Sequence, residues 1–530
     1  GKDTLISIEL VVGSNYGDTF YGSSGNNDFK LDSFGVGEIR GGTGGADFVD
    51  GLGGFDTLTY NIYNYDYSTN PLSLSGIQAD LNKGTIIDPA GNTDTVKNIE
   101  KVKGTGFSDN LKGSSNNETL EGLGGNDQIE GGNGDDIIEG GDGDDNLYGG
   151  DGDDTITGGD GVDVLYGGEG ADILKDVGDS TIYGEGGNDT IYLSAGADIE
   201  DGGEGTDTII FGPDQTTLPV TINLDTGRYH FTSQISSVTQ NLFSIENITS
   251  EGAADLTVYD TSGVNVITTN TGNDTIHSTG GNDTITTGSG NDTVYLGTGT
   301  YTVDLGAGDD TVYLTTSASS INGNTGTDEA IVRAFDGFVD VYIDLQFSTY
   351  FVPSKLTAQD GMEVSLQNFE KVTIDGNVAA TILGTAAADT LVGDAGADSI
   401  TGRAGADTLT GGSRSDTFVF SSGDTGITEA TADTITDFST GTDKIDIATL
   451  GSYVEADGTA TANLAAFITA ADASLPTTSI DIYAQFNFKG EGNTLVVIDE
   501  DKSGAVNTGD TLIILTGLST AGGLDASDFI

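Results

Sequence analysis

A nine-residue period runs through the most glycine-rich stretch of this 530-residue chain. From Gly131 to Lys175, five consecutive copies follow the pattern Gly-Gly-x-Gly-x-Asp-x-U-x, in which U is a large apolar residue, and a sixth copy, GLGGNDQIE, precedes them. Glycine supplies the positive φ angles of tight turns, so the first six residues favour a turn. The last three residues suit a very short strand with U pointing inward. Turn, strand, turn and strand then make one coil of about eighteen residues.

Stacked coils place the aspartates of the repeat close to one another. Strands in a sheet lie ~4.8 Å apart, and adjacent carboxylates at that spacing repel by ~3–4 kcal/mol at an effective dielectric near 20. A hard divalent cation reverses the sign of this interaction, and glycine carbonyls supply further oxygen ligands. Calcium accepts six to eight oxygens in flexible geometry, whereas magnesium demands a tight octahedron. The sequence therefore predicts several calcium ions, with main-run ligands at Asp127, Asp136, Asp145, Asp154, Asp163 and Asp172.

The composition of the chain argues against several classes of function. The formal charge of −66 argues against nucleic acid as a partner, and the absence of cysteine excludes disulfides and thiolate metal sites. The 35% apolar content and 6 prolines argue against disorder, and no apolar run approaches the ~18 residues of a membrane span. The chain has no His-Glu-x-x-His motif, nucleophile elbow or phosphate-binding loop. We therefore expect no enzyme, and we expect the two histidines, His230 and His277, to be strand residues.

The nonapeptides resemble the RTX family of calcium-binding repeat proteins, whose motif has the same pattern. The resemblance implies a parallel β-roll with one calcium ion in each turn between coils. It also implies secretion through a type I exporter, from a Gram-negative bacterium or a similar source. The predicted fold class is all-β: right-handed parallel β-rolls that alternate with small β inserts, with no substantial helix.

The nine-residue period returns elsewhere in the chain, in repeats that match the glycine and ligand pattern less well. Asp18 and Asp56 occupy isolated early matches, and Asp189 and Asp207 follow the main run. A second roll keeps its aspartates but loses the first glycine of each turn and puts Tyr301 in a ligand position, so we expect calcium there to be weaker or absent, with threonine side chains and packing taking over. A third roll keeps Asp389, Asp398 and Asp407, but Arg403, in the repeat of Asp407, is expected to crowd the site, so we expect partial occupancy. The predicted ligands of these two rolls are Asp274, Asp283, Asp292, Asp310, Asp398 and Asp407.

Segments with strand-like alternation separate the rolls. Each ends in an apolar residue followed by glutamate, at Glu100, Glu246 and Glu370, and the first line of the sequence carries the same ending at Glu9. This favours a longer parent protein whose first module is incomplete here. The predicted division is an insert end with degenerate turns, an insert, the main roll, an insert, a second roll, an insert, a short third roll and a C-terminal β cap, over residues 1–54, 55–103, 104–211, 212–251, 252–326, 327–376, 377–420 and 421–530.

The C-terminal region carries two further signals. Residues 411–530 resemble the terminal segment of serralysin-type and other type I secreted proteins, and the ending LDASDFI is similar to their uncleaved export signal or is an ordinary terminal strand. The stretch DEDKSGAVNTGD follows the EF-hand order of oxygen ligands between two predicted strands. It predicts a calcium loop without helices, or else a polar hairpin turn, with ligands at Asp499, Asp501, Ser503 and Asp510.

The sequence leaves two functions open. The leading one is a secreted structural protein of the bacterial cell surface, such as a surface-layer subunit that self-associates into a calcium-dependent lattice or fibre. The alternative is the non-catalytic half of a larger secreted enzyme, toxin or adhesin. A weaker third possibility is glycan binding by the tyrosine-rich run Tyr60–Tyr67, which also reads as a packed β surface.

Overall fold

The computed structural model describes most of the chain in two compact units, Gly1–Tyr259 and Asp260–Ile530. The described residues are 10–12, 19–32, 46–61, 75–89, 91–193, 198–212, 219–231, 240–315, 319–334, 340–345, 364–421, 423–447, 453–455, 463–475, 481–489, 491–508, 510–518 and 524–530. The predictions at Glu9 and Asp18 lie outside these residues, as does most of the run Tyr60–Tyr67.

The first unit consists of short strands, most of them paired in parallel. Its strands are Leu10–Val12, Thr19–Tyr21, Asp28–Asp32, Phe48–Asp50, Thr57–Asn61, Gln78–Asp80, Thr85–Ile87, Thr93–Lys97, Lys101–Lys103, Asn110–Lys112, Thr119–Gly124, Gln128–Asn133, Ile137–Asp142, Asn146–Asp151, Thr155–Asp160, Val162–Glu169, Ile173–Lys175, Asp179–Gly187, Thr190–Leu193, Ile199–Asp201, Glu204–Gly205, Thr208–Phe211, Val220–Asn223, Arg228–Phe231, Gln240–Phe243, Asn247–Ser250 and Leu256–Tyr259.

The nonapeptides form a two-sheet roll. Successive strands belong alternately to one sheet and the other, so each strand pairs in parallel with the strand one coil further on. Ile129 is in register with Leu147, and Ile138 with Ile156, a step of 18 residues in both sheets. The U residues lie between the sheets, and Ile138, Leu147 and Ile156 are each 0% exposed. The nine-residue period therefore sets the coil, and the apolar residue of each copy forms the core.

Two described inserts of this unit add antiparallel pairs. In the first, Thr85–Ile87 pairs with both Gln78–Asp80 and Thr93–Lys97. In the second, Arg228–Phe231 pairs with Val220–Asn223 and Gln240–Phe243. Tyr60 is 3% exposed and its hydroxyl donates to Asp94 Oδ2 at 2.7 Å. This tyrosine belongs to a packed surface and offers no face to a glycan.

The second unit repeats the parallel pairing and ends in a mixed cap. Its strands are Val266–Thr268, Thr275–Gly281, Thr284–Thr286, Thr293–Gly299, Thr302–Asp304, Thr311–Leu314, Ser319–Asn322, Glu329–Ala334, Asp340–Asp344, Val364–Gln367, Lys371–Gly376, Ala379–Leu383, Thr390–Val392, Ser399–Thr401, Thr408–Thr410, Thr417–Phe420, Asp433–Ile435, Lys444–Ile447, Tyr453–Glu455, Asp481–Phe488, Asn493–Asp499 and Thr511–Leu515. Parallel neighbours are again offset by 18 residues, as in Thr275–Gly281 against Thr293–Gly299.

The C-terminal cap is the part that departs from simple strands. The helix Leu464–Asp472 begins after Asn463, whose side chain accepts the backbone N–H of Ala466 at 3.0 Å. Phe467 and Ala471 pack from this helix into a core with strand residues of the cap. A 3₁₀ turn, Ala526–Asp528, lies near the chain end. Among the described residues, no helix has the length and apolarity that crossing a membrane requires. The all-β prediction is confirmed, with one short helix that the predicted cap did not include.

Candidate calcium-binding sites

The aspartate of each nonapeptide is buried, and its two carboxylate oxygens have different surroundings. Asp145 is 1% exposed, and its Oδ1 accepts the backbone N–H of Asp127, one coil earlier, at 2.7 Å. The same bond joins Asp136 to Asp154 and Asp154 to Asp172, at 2.7 and 2.8 Å. Coil is thus joined to coil by a carboxylate ladder in addition to the sheet hydrogen bonds.

The second oxygen, Oδ2, has no hydrogen-bond partner although it is buried. Buried polar atoms in native proteins almost always have a partner, and an unpaired buried carboxylate oxygen is costly. An unpartnered oxygen that recurs in this way fits a cation beside each aspartate. The described aspartates that have such an oxygen include Asp56, Asp127, Asp136, Asp145, Asp154, Asp163, Asp172, Asp189, Asp207, Asp310, Asp328, Asp398, Asp407, Asp416 and Asp433.

The first glycine of the repeat forms the other wall of this space. A Cβ atom on Gly140 would collide with Asp145 Oδ2 and lie 2.6 Å from the carbonyl oxygen of Gly158, one coil further on. Gly131 meets Asp136 Oδ2 and the Gly149 carbonyl in the same way. Carboxylate and carbonyl oxygens therefore converge on the face of a residue that has no side chain. These are the hard oxygen ligands that calcium prefers, and the residues fit the ion.

Burial shapes the electrostatics of the sites. It raises the pKa of Asp127, Asp136, Asp154, Asp163 and Asp172 to about 7, because loss of hydration disfavours the charged form. The backbone N–H bond opposes this rise in pKa, and neighbouring carboxylates add to it. The carboxylates therefore titrate near neutral pH until a cation compensates for their charge.

One site in the main roll contains an extra carboxylate. The repeat that begins at Asp176 is one residue shorter than the others, and Asp176 stands where the first glycine would be. Its Oδ1 accepts the N–H of Gly159 at 3.0 Å and lies, with Asp163 Oδ2, against Gly158. A side-chain oxygen here takes the place of a glycine carbonyl, so Asp176 offers a charged oxygen that the nonapeptide pattern does not predict.

Three further aspartates share the site geometry without having been predicted: Asp328, Asp416 and Asp433. The repeat of Asp328 has Ala330 at the U position, and that of Asp416 has Arg414 in place of a turn glycine. For Asp416 and Asp433 the signal that could have found them is the triplet of aspartate, threonine and an apolar residue, as in Asp433-Thr-Ile. For Asp328 the signal is the turn GNTG that precedes it, which keeps the glycines at the first and fourth positions of the repeat.

In the second roll, threonine side chains stand where first glycines would be at two positions. These are Thr269 and Thr287, whose Oγ1 atoms donate to the carbonyls of Thr287 and Leu305 at 2.9 and 2.6 Å. Those carbonyls correspond to the glycine carbonyls that face the ion space in the main roll. Weak or absent calcium beside Asp274 and Asp292, which are both 1% exposed, stays a prediction.

The contacts of Asp283 differ from those of the aspartates in the main roll. Ser278 occupies the first position of that repeat, and its hydroxyl donates to Asp283 Oδ2 at 2.8 Å. The side chain fills the space that glycine would leave open and satisfies the oxygen that a cation would contact. One coil further on, the position of the aspartate holds Tyr301, which is 1% exposed. His277 stacks on Tyr295 with ring centroids 4.6 Å apart and is a half-buried strand residue.

Arg403 does not crowd Asp407 as expected. Its guanidinium pairs with Asp344, with Nη2 2.9 Å from Oδ2, and Nη1 donates to the Gly384 carbonyl at 2.7 Å. Asp407 keeps an unpartnered Oδ2. Arg403 instead competes for a carbonyl beside Asp389, whose Oδ2 accepts the N–H of Thr385 at 2.5 Å. Asp389 is therefore the altered position of the third roll.

The EF-hand-like loop brings its three aspartates together. Carboxylate oxygens of Asp499, Asp501 and Asp510 all lie within 4.8 Å of one another. The loop joins two antiparallel strands, since Ile498 is in register with Thr511. Backbone N–H groups already contact Asp499, from Ser503 at 3.1 Å and Gly504 at 2.7 Å. The Ser503 hydroxyl donates to the Ala505 carbonyl at 2.9 Å, so calcium in this loop stays a prediction.

Parallel coils with buried, oxygen-lined turns define the class as a calcium-binding β-roll. The RTX calcium-binding nonapeptide repeat matches this chain at residues 8–32, 104–138, 112–147, 139–174, 176–209, 259–303 and 383–418. The chain therefore carries RTX repeats and binds several calcium ions. No curated protein matches it. Asp56, Asp328 and Asp433 lie outside the matched segments, so the shared geometry extends the candidate sites beyond the recognisable motif.

Proposed function

We propose that this chain is a secreted structural protein of the bacterial cell surface, a surface-layer subunit that assembles through calcium. RTX repeats support secretion and calcium binding. The C-terminal sequence LDASDFI supports export through a type I system. In the folded chain Leu524 and Phe529 from this segment are 1% and 2% exposed, so an exporter has to read it before folding.

The observation that carries the proposal is the pair of exposed acidic rows on the main roll. Asp142 is in register with Asp160 on one sheet, and Asp151 with Glu169 on the other, and all four are exposed. Aligned like charges on a rigid roll repel a second copy of the chain. Divalent cations shared between two such rows reverse that repulsion, so the same ion that folds the roll can join one copy to another.

The test is electron microscopy and light scattering of the purified chain across a calcium titration. We expect ordered sheets or fibres in calcium that dissolve in chelator. The matched variant carries Asp142→Asn, Asp160→Asn and Asp151→Asn, which remove exposed charges only. It should fold in calcium with an unchanged circular dichroism spectrum and fail to assemble.

A chain that folds and stays monomeric at all calcium concentrations would contradict the proposal. That result would favour the alternative, in which these rolls are the non-catalytic part of a larger secreted enzyme, toxin or adhesin. Enzymatic or receptor-binding activity of an intact precursor would then be the quantity to measure.

A further inference from the structure

The three inserts return to the roll through the same short segment. The segments are Asn98-Ile-Glu100, Ser244-Ile-Glu246 and Asn368-Phe-Glu370. We name them the re-entry segments. Each is followed by a strand whose buried residue, Val102, Ile248 or Val372, is 0% exposed and occupies the U position. Each glutamate therefore stands where the aspartate of an ordinary repeat would be.

The glutamate continues the carboxylate ladder across the insert. Its Oε2 accepts the backbone N–H of the preceding coil's aspartate in all three places, Asp56, Asp207 and Asp328, at 2.8, 2.8 and 2.9 Å. In the main roll, the aspartate that makes this bond follows the first glycine of its repeat by five residues, as Asp145 follows Gly140. In a re-entry segment the glutamate follows the first residue by only two, as Glu246 follows Ser244. The extra methylene of glutamate extends the reach of its carboxylate.

The first residue of each re-entry segment replaces a glycine carbonyl of the calcium site. A Cβ atom on Gly202 would collide with both Asp207 Oδ2 and the carbonyl oxygen of Ser244. Gly51 meets Asp56 and Asn98 in this way, and Gly323 meets Asp328 and Asn368. Backbone geometry explains the orientation of the carbonyls, because Asn98, Ser244 and Asn368 have φ of 48°, 52° and 56°.

The aspartate of each junction has an oxygen with nothing to bind. Asp56, Asp207 and Asp328 are each 0% exposed, and Oδ2 of each lacks a hydrogen-bond partner. Oδ1 of Asp207 accepts the N–H of Asp189 at 2.8 Å, so only one oxygen is committed to the ladder. A buried anionic oxygen, a converging carbonyl and a nearby glutamate recur at all three junctions.

From this recurrence we infer that each re-entry segment completes a calcium site with the last aspartate of the roll before it, so that an ion closes the base of every insert. The insert is then held by metal as well as by strand pairing. This inference rests on calcium binding by the repeats and is independent of the surface-layer proposal, so either can fail without the other.

The first experiment counts ions by elemental analysis of the full chain at saturating calcium. Asp207→Asn and Asp328→Asn keep the oxygen that accepts the ladder N–H and remove the charge. Each should lower the count by one ion per chain. The matched control is Asp225→Asn, in the exposed turn of the second insert, which should leave the count unchanged. A full complement of ions in both junction variants would overturn the inference.

The second experiment tests the carbonyl of the re-entry segment. Ser244→Val disfavours the left-handed backbone that aims this carbonyl, whereas Ser244→Gly accepts it. We expect calcium to protect the amides of Val220–Asn223 and Arg228–Phe231 from hydrogen exchange in wild type and in Ser244→Gly. Protection should fall at least tenfold in Ser244→Val. Equal protection in the two variants would show that the carbonyl is not a ligand.

Discussion

At the scale of the residue, the repeat aspartate divides two roles between its two oxygens. Oδ1 of Asp154 accepts the N–H of Asp136 and orders the coil, while Oδ2 faces the ion space. The first glycine of the repeat leaves this space open because it has no side chain, and the corresponding glycine one coil further on supplies a carbonyl. Asp283 shows the consequence, because Ser278 at the first-glycine position converts an ion space into a hydrogen bond.

A methyl group at a first glycine should therefore eliminate one ion. In Gly149→Ala the new Cβ would collide with Asp154 Oδ2 and the Gly167 carbonyl. We expect calcium binding at that site to weaken at least tenfold, about 1.4 kcal/mol, measured as one ion fewer per chain at limiting calcium. Gly106→Ala is the control, since a Cβ there has nothing within 4 Å. An unchanged ion count in Gly149→Ala would contradict the role assigned to this glycine.

The raised pKa values also predict a pH dependence. Folding raises the pKa of Asp154 from 3.8 to about 7 when no cation is present, so protonation stabilises the calcium-free fold. That contribution is complete below pH ~4 and is lost as the pH rises through ~7. In chelator, the melting temperature should therefore be higher at pH ~5 than at pH ~8.

The stabilisation by calcium should show the opposite pH dependence, because the proton has to leave the carboxylate before the ion binds. The rise in melting temperature on adding calcium should be larger at pH ~8 than at pH ~5. Differential scanning fluorimetry at the two pH values, with and without calcium, measures both effects. A calcium-induced rise that is the same at both would indicate that these carboxylates are not the ligands.

At the scale of the element, the coil is stabilised by two facing columns of apolar residues, one from each sheet. Leu165 is 0% exposed and in register with Leu147 and Ile182. Leu165→Ala should lower the free energy of unfolding in calcium by about 2–5 kcal/mol, measured by chemical denaturation. Val177 is 63% exposed, so Val177→Ala should change it by less than about 0.5 kcal/mol. Equal effects of the two substitutions would mean that these columns are not the core.

Much at this scale was predictable because the period fixes both strand and turn. The buried positions Ile138 and Leu147 follow from the repeat alone, as do the carboxylates beside them. The re-entry glutamates were visible in the sequence, but their role depends on a bond to Asp56, Asp207 or Asp328 that no local pattern encodes. Arg403 could not be assigned to Asp344 for the same reason, since 59 residues separate them.

The helix Leu464–Asp472 was missed although local signals were present. Leucine and alanine favour helix, and Asn463 is a good N-cap. The strand-like sequences on both sides of this segment favour β structure and outweigh these signals. Tertiary contacts explain why the helix persists at nine residues, since isolated helices of that length are marginal and Phe467 here is 0% exposed.

At the scale of the whole molecule, calcium should act as the folding switch. At a free concentration ten times the dissociation constant each ion adds about 1.4 kcal/mol, and five ions add about 7 kcal/mol, comparable with the stability of a typical domain. At a temperature where the calcium-bound chain is folded, chelation near neutral pH should lower the melting temperature below that of the experiment and so abolish strand content by circular dichroism. Calcium should restore it, and magnesium at the same concentration should not. A native-like spectrum in chelator would refute the switch.

The carboxylate ladder also has a direction. A coil's backbone N–H needs an acceptor from the coil that follows it in sequence, as Asp145 serves Asp127. For the last coils of the third roll, the cap supplies these acceptors. Oδ1 of Asp433 and of Asp443 accepts the backbone N–H of Asp407 and of Asp416, at 2.9 and 3.1 Å. Each turn is thus completed only by its successor in the sequence. A chain that emerges tail first would meet every coil's missing partner already in place.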